Sequence, residues 1–244
     1  MLCQRYRDIV VIGGGCYGSF YAAQLATARD RGKIAFESVV LVDQDPNCQA
    51  VREGRIGAGF RLDVSTWDDF VDRFFERPAP GAGDPDDALV PSPLMPHLMA
   101  HWLERMAAGR TERTPADLPF ETPYDKLAPD GTRYVSFADW LCPTHCIEPR
   151  LCPAISAPRT WEMSDAVRAY AGRIGEQRPA IGSAIFVTRH RAFGVGMFDL
   201  SDARAARSLL TRALASPGPV DMIVATVSSC HGAVTVLRTI GTPA

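Results

Sequence analysis

The sequence predicts an α/β protein built on a doubly wound, mostly parallel sheet. Short apolar runs rich in β-branched residues recur through the first hundred residues and alternate with segments of helical periodicity. The first apolar run leads directly into a cluster of glycines. The chain has 244 residues and is 46% hydrophobic, which is enough for one large domain or for a domain with a smaller appendage.

The first half of the chain follows the order β-α-β-β-α-β-α. Gly32 is expected to cap the first helix, and Ser65 or Thr66 the second, which carries acids in its first turn. Proline 96 and Gly109 mark the ends of the third helix. The expected elements are strands at 8–12, 37–43, 57–64 and 88–91, and helices at 19–32, 65–76 and 96–109.

The second half is less regular. From 110 to 159, prolines, charges and cysteines replace any clear periodicity, and so long a stretch inside a domain indicates a segment that is functional or is held by something else. The chain then predicts a helix at 160–175, a hairpin of strands at 182–188 and 193–200, a helix with Ser201 as its N-cap, and a strand, turn and second strand or short helix at 220–240. The predicted domains are a nucleotide-binding domain at 1–109, a cysteine-rich insert at 110–160 and an α+β portion at 161–244 that packs on the first domain.

A glycine loop follows the first strand. Gly13, Gly15 and Gly18 form the pattern G-x-G-x-x-G and open a helix, with Cys16 and Tyr17 between the last two glycines. In a dinucleotide site, these three glycines allow a tight turn, approach to a pyrophosphate and close packing of helix on strand. The helix N-terminus then attracts the phosphates. A glycine turn without a nucleotide, or a site for FAD or another adenine ligand, is the alternative.

Asp43 ends the second strand, where a ribose-binding acid is expected. It would accept hydrogen bonds from both ribose hydroxyls and repel a 2′-phosphate. Gln44 follows rather than an arginine, so NAD is favoured over NADP. These residues resemble the NAD(P)-binding Rossmann superfamily, in particular the TrkA N-terminal type of domain, over residues 8–109. The resemblance implies a Rossmann-like fold with the cofactor held by Gly13, Gly15, Gly18 and Asp43.

Three cysteines lie close together in the middle of the chain. Cys142, Cys146 and Cys152 have the spacing C-x₃-C-x₅-C, with prolines stiffening the segment between and after them. This pattern indicates a metal site, with an iron–sulfur cluster preferred and structural zinc second. Incidental free thiols are the alternative. Cys230 or His231, at a turn after an apolar strand, is the expected fourth ligand, since His145 adjoins Cys146 too closely.

That turn and the loop before the third helix supply the candidate catalytic residues. If the strand before Cys230 is parallel to the first four, both segments lie at the carboxyl edge of one sheet, where ligands bind. His97 at a helix start is expected to be neutral and available for proton transfer, and His231 is the second candidate. A packed or exposed structural histidine is the alternative for His97. Arg159, Trp161 and Glu162 are expected to fasten the cysteine segment through an ion pair and a buried indole.

Charge and hydropathy exclude several classes of function. The net charge is −2 without a basic tract, which argues against nucleic acid or an anionic membrane as partner. No apolar run reaches the ~20 residues of a membrane helix. We expect a cytoplasmic protein, with a homodimer possible in principle for a small Rossmann domain. The leading hypothesis is an NAD(H)-linked oxidoreductase with a metal centre and an unknown small substrate or redox partner. A non-catalytic NAD(H) or redox sensor with structural zinc is the alternative.

Overall fold

The computed structural model describes residues 4–81, 84–140, 142 and 146–240. The chain divides into two compact units. Unit 1 comprises Met1–Met95, Thr144–Ile147 and Arg189–Ser201. Unit 2 comprises Pro96–Pro143, Glu148–Thr188 and Asp202–Ala244. Each unit has its own sheet and its own hydrophobic core.

The secondary structure alternates strands and helices in the first part of the chain and is richer in strands thereafter. The strands are β1 Gln4–Ile12, β2 Ile34–Asp43, β3 Phe60–Val64, β4 Ala88–Val90, β5 Thr111–Pro115, β6 Tyr124–Leu127, β7 Arg133–Ser136, β8 Leu151–Cys152, β9 Ala157–Pro158, β10 Ala180–Val187, β11 Arg189–Ala192, β12 Val195–Asp199, β13 Asp221–Val227 and β14 His231–Thr239. The helices are α1 Cys16–Asp30, α2 Gln49–Arg52, α3 Trp67–Phe75, α4 Leu98–Ala107, α5 Met163–Gln177 and α6 Leu200–Leu214. Within the described ranges, no helix is both long and apolar enough to cross a bilayer.

The sheet of unit 1 has the strand order β11-β12-β4-β1-β2-β3. Strands β4, β1, β2 and β3 are parallel, whereas β12 pairs antiparallel with β4 and β11 pairs antiparallel with β12. Strands β1 and β2 read as nearly continuous apolar runs because parallel strands in such sheets are buried on both faces. The carboxyl ends of the four parallel strands therefore share one edge.

Helices cover both faces of these parallel strands. Ile9 and Leu41 pack in one cluster with Leu25 of α1. Side chains alternate between the faces of a strand, so Asp8 points away from that cluster. It lines a cavity with Phe70 of α3. Unit 1 is therefore a mixed α/β layer with α1 on one face and α3 on the other.

Unit 2 has a mainly antiparallel sheet of order β10-β13-β14-β7-β6. Only β10 and β13 are parallel. The long strand β14 pairs along one side with β13, and along the other side with β7 over His231–Val234 and with β5 over Thr235–Thr239. Helix α5 contributes apolar side chains to the core beneath this sheet, among them Met163, Val167, Tyr170 and Ile174.

Several predictions about the first half of the chain are confirmed. The strands and helices expected there are present, and Thr66 is the N-cap of α3, where its hydroxyl accepts a hydrogen bond from the Asp69 amide at 3.0 Å. The helix before Gly109 ends in a left-handed Ala108, with Gly109 also at positive φ. This helix belongs to unit 2, whereas the sequence grouped it with the first domain. The predicted domain boundaries stay predictions.

Three predictions about the second half are wrong. The stretch 110–159 contains strands β5, β6 and β7, which belong to the sheet of unit 2. The segment 182–188 forms no hairpin with 193–200, because β10 pairs with β13 and residues 189–192 themselves form β11, which turns back onto β12. Ser201 is not an N-cap, since α6 begins at Leu200 and the Ser201 amide donates to the Asp86 carboxylate.

Candidate functional site

The loop between β1 and α1 requires glycine at two positions, at one because of its backbone conformation and at the other because a side chain has no room. Gly13 has φ +87°, a conformation that favours glycine, and its amide donates to the Val42 carbonyl at 2.8 Å. A Cβ on Gly18 would lie 1.8 Å from the Gly13 carbonyl oxygen. Helix α1 therefore approaches the end of β1 as closely as backbone atoms allow, as the glycine pattern predicts.

Gly15 differs from these two glycines. It is exposed and has an ordinary φ of −72°, and a Cβ built there would meet no atom within 4 Å. It is the N-cap of α1, without any side-chain capping bond. The first amides of a helix have no intrahelical acceptor, so the N–H groups here are available to a bound anion. Cys16 begins the helix and is exposed, while Tyr17 is half-buried and stacks on Tyr21.

Asp43 lies at the carboxyl end of β2 and holds the glycine loop. Its Oδ2 accepts a hydrogen bond from the Gly14 amide at 2.6 Å, and its Oδ1 accepts one from the Asp45 amide at 2.9 Å. A carboxylate has about four acceptor positions, so each oxygen retains capacity for a further donor. The acid that the sequence assigned to a ribose is thus fixed beside the loop that the sequence assigned to a pyrophosphate.

Gly14 in this loop and Cys48 beside it pack against each other, although the sequence assigned neither residue a role. A Cβ on Gly14 would lie 2.3 Å from the Cys48 sulfur, so Gly14 is required by the packing of α2. The amide of Ala50 in α2 also donates to the Gly14 carbonyl. Cys48 is buried and is the N-cap of α2. The run of three glycines could have indicated a structural requirement at Gly14, whereas no pattern in the sequence indicated that Cys48 packs there.

His97 is buried in unit 2 and is only 5% exposed. Its Nδ1 lies 3.3 Å from the Thr226 hydroxyl oxygen, and within the described part of the chain its Nε2 has no hydrogen-bond partner. Burial, with a further contribution from the Arg113 charge, lowers the pKa of His97 to about 3. The imidazole is neutral, as expected, but burial is the main cause rather than the helix dipole. Its catalytic role stays a prediction, and in this structure the ring is shielded from solvent.

The turn at Cys230 and His231 joins β13 to β14 in unit 2. The condition that β13 is parallel to the first four strands in one sheet is not met, because β13 pairs with β10 and β14. His231 is exposed and lies opposite Ser136 of β7. His231 belongs to unit 2, whereas the glycine loop belongs to unit 1, and the part of His231 in proton transfer stays a prediction.

Cys230 is a buried thiol with a specific partner. Its sulfur accepts a hydrogen bond from the Trp161 indole N–H at 3.3 Å. Burial raises the pKa of the Cys230 thiol, and the charges of Glu148 and Cys142 act in the same direction. Cys230 is therefore held mainly as a thiol near neutral pH in the metal-free chain, and its part in a metal site stays a prediction.

The predicted metal ligands are distributed over both units. Cys142, Cys152 and Cys230 belong to unit 2, whereas Cys146 belongs to unit 1, where its carbonyl oxygen contacts His190 Nδ1. The six described cysteines form no disulfide. Among the described residues, no group of three or more His, Cys, Asp or Glu side chains is arranged to hold a metal ion. His145 lies outside the described residues, and the metal site stays a prediction.

The segment after the cysteines is fastened as the sequence predicted. The Arg159 guanidinium donates to the Glu162 carboxylate at 2.5 Å and to the carbonyls of Glu148 and Pro149. The Trp161 indole is half-buried rather than buried, stands 6.0 Å from the Phe137 ring, and donates to Cys230 as described above. The ion pair and the indole contact are confirmed as structural fastenings within unit 2.

Comparison with known proteins gives one match. A family model named AF_1314_C and described as "Uncharacterized protein, C-terminal domain" matches residues 95–240. The match covers more than half of the chain and nearly all of unit 2. The chain therefore belongs to this family. No curated protein and no solved structure matches it.

Proposed function

We propose that this member of the AF_1314_C family binds NAD(H) through the loop between β1 and α1. The observation that carries the proposal is the contrast between Gly18, where no side chain fits, and Gly15, where the space beyond the backbone is open. A dinucleotide site needs both properties, since the helix must start close to the strand while the pyrophosphate approaches the loop from outside. An ordinary turn needs neither.

The arrangement of unit 1 supports a Rossmann-like interpretation. The parallel strands follow the order β3-β2-β1-β4, which matches the first four strands of the dinucleotide-binding order 3-2-1-4-5-6. Helices α1 and α3 lie on opposite faces. The glycine loop and Asp43 are at the carboxyl edge, next to each other, and ligands of open parallel sheets bind at that edge.

The charge beside the loop favours NAD(H) over NADP(H). Asp43 and Asp45 are both near the position expected for the adenosine ribose, and Asp43 is fixed by two backbone amides. Both would repel a 2′-phosphate. The residual acceptor capacity of the Asp43 carboxylate suits the two hydroxyls of an unphosphorylated ribose.

The geometry favours nucleotide binding as the primary activity over a defined redox reaction. His97 is enclosed in unit 2 with a pKa of about 3, so it is a poor base for a substrate. The proposal therefore needs no metal and no catalytic histidine. An NAD(H)-linked oxidoreductase remains the second candidate, supported by the exposed Cys16 at the start of α1, beside the proposed cofactor.

The test is titration of NADH and NADPH into the full chain, followed by calorimetry or by nicotinamide fluorescence. Wild type should bind NADH more tightly than NADPH by about tenfold or more, corresponding to about 1.4 kcal/mol. Gly15→Ala should weaken NADH by at least about tenfold because its methyl group occupies the path of the pyrophosphate. The backbone of Gly15 suits alanine, so this variant should fold.

Gly57→Ala is the matched control, because Gly57 lies in the same unit, also has open space and has no positive φ. Its NADH affinity should equal that of wild type. Equal NADH affinity in Gly15→Ala and wild type would exclude binding at this loop, and so would the absence of NADH binding. Consumption of bound NADH on addition of an electron acceptor would move the conclusion to the oxidoreductase.

A further inference from the structure

A second polar site lies under α3, on the face of the unit 1 sheet opposite α1. A cavity of about 210 Å³ is lined there by three arginines, two aspartates and two phenylalanines. The arginines are Arg61 of β3, Arg73 of α3 and Arg77 just beyond it. The cavity is too small for a dinucleotide and lies below the usual range of about 300–1,000 Å³ for ligand pockets, so its ligand must be a small metabolite.

The two aspartates each engage one guanidinium. Arg77 Nη1 donates to Asp8 Oδ2 at 2.7 Å, and Arg73 Nη2 donates to Asp63 Oδ1 at 2.9 Å. Burial by itself raises the pKa of Asp8, but hydrogen bonds from Ser38 and Arg77 outweigh it and hold the pKa below its usual value. Asp8 is therefore charged at neutral pH, and both acids are matched by a cation.

Arg61 is the third cation. Within the described residues it forms no hydrogen bond or ion pair, and its charge acts on Asp8 only at a distance. Three guanidiniums and two carboxylates give the lining one net positive charge, which lies on the solvent-exposed Arg61. Each guanidinium has five N–H donors, so Arg73 and Arg77 also retain donors after binding their aspartates.

The aromatic side chains supply an apolar wall. The rings of Phe70 and Phe74 stack with centroids 5.1 Å apart, and the Arg77 guanidinium lies 4.8 Å from the centroid of Phe74. Stacking against a ring holds a guanidinium in a fixed plane without using its donors. Donors of fixed direction at the rim and apolar surface at the wall suit a ligand with an anionic head and a short apolar body.

We propose that this cavity is a binding site for a small metabolite carrying a phosphate or carboxylate group, which Arg61 recognises together with the free donors of Arg73 and Arg77. Guanidinium forks match the geometry of both oxyanions and bind them in bidentate fashion. The site is separate from the glycine loop, since the two are formed by α3 and α1 on opposite faces of the sheet. The proposal therefore does not rest on NAD(H) binding.

The experiment is calorimetric titration of the full chain with inorganic phosphate and, separately, with succinate, at constant ionic strength. Wild type should bind one or both with a Kd in the millimolar range. Arg61→Ala should weaken that binding by about tenfold or more, since it removes the net positive charge of the lining. Tighter binding of phosphate indicates a phosphorylated ligand, and tighter binding of succinate indicates a carboxylate.

Arg5→Ala is the matched control, since Arg5 is exposed on β1 and its loss changes the net charge by the same amount. Its anion affinity should equal that of wild type. No binding of either anion up to about 10 mM, or equal weakening in both variants, would overturn the proposal. NADH affinity is measured in parallel and should be unchanged in Arg61→Ala, so the two sites can fail independently.

Discussion

The two units hold their polar groups in different ways. In unit 1, four parallel strands end at one edge, and there the Gly14 amide donates to the Asp43 carboxylate. In unit 2, antiparallel strands end at both edges of the sheet. His97, Cys230 and His231 of that unit each have a different neighbour, namely Thr226, Trp161 and Ser136. Parallel strands bring successive loops together, whereas antiparallel strands separate them. Functional groups from separate loops are therefore expected to lie close together in unit 1.

The units also differ in what maintains their geometry. The loop of unit 1 depends on backbone atoms approaching closely, which only glycine permits at position 18. Unit 2 depends on ion pairs in which one partner is largely buried, the carboxylate of Asp221 in one case and the guanidinium of Arg113 in the other. Asp221, 1% exposed, lies between Arg178 and Arg238, and Arg113 joins Glu104 to Asp130. Substitutions at the two kinds of contact should separate these dependencies.

The largest effect is expected from Gly18→Ala in unit 1. Its Cβ would overlap the Gly13 carbonyl oxygen, and the backbone on both sides is held by the sheet, so we expect a loss of about 3 kcal/mol or more in the free energy of unfolding. Urea denaturation followed by circular dichroism measures it. Gly15→Ala is the control and should cost at most about 1 kcal/mol as a helix-cap change. Equal stability of the two variants would contradict the close approach of α1 to β1.

A smaller effect is expected from Asp221→Asn in unit 2. The substitution keeps the shape of the side chain but leaves two arginines without their counter-charge, which should cost about 2 kcal/mol of unfolding free energy. Asp165→Asn is the matched control, because its pair with Arg168 is exposed and should contribute less than about 1 kcal/mol. If the two variants lose the same stability, burial of Asp221 has no energetic consequence.

The least disruptive test compares the thiols of the two units in the unmodified chain. Cys16 is exposed, whereas Cys230 is buried, is hydrogen-bonded to Trp161 and has a raised pKa. Iodoacetamide at neutral pH should label Cys16 well before Cys230, because the thiolate is the reactive form and must be accessible. Peptide mass spectrometry gives the order of labelling, and denatured protein gives the control. Faster labelling of Cys230 would contradict the environment described for the β13–β14 turn.

Unit 1 could be predicted well because its signals are local. β1 and β2 are apolar over consecutive residues, Thr66 precedes an acidic helix start, and the three glycines follow a strand. Each signal lies within about a dozen residues of the structure that it specifies. The candidate nucleotide site shares this property, since Gly13 to Gly18 form one loop and Asp43 ends the next strand.

Strands β5, β6 and β7 of unit 2 were missed because their signals are not local. All four residues of β6 are exposed, and β5 reads Thr-Glu-Arg-Thr-Pro, so neither contains an apolar run. Strand β5 exists because its backbone pairs with β14, more than a hundred residues later. The arginine cavity is a similar case, because Asp8, Arg61 and Arg77 lie on three separate segments.

The sequence by itself determined the order of strands and long helices from β1 to β4 in unit 1, the glycine loop and the acid beside it. Those features follow from backbone preferences and hydrophobic periodicity, which act between near neighbours in the chain. Only the tertiary structure decided that His97 is enclosed, that β13 and β14 form a second sheet, and that Arg61 has no acid of its own among the residues that the structure describes. The burial of a side chain and the neutralisation of its charge depend on residues that are distant in sequence, so no local pattern predicts them.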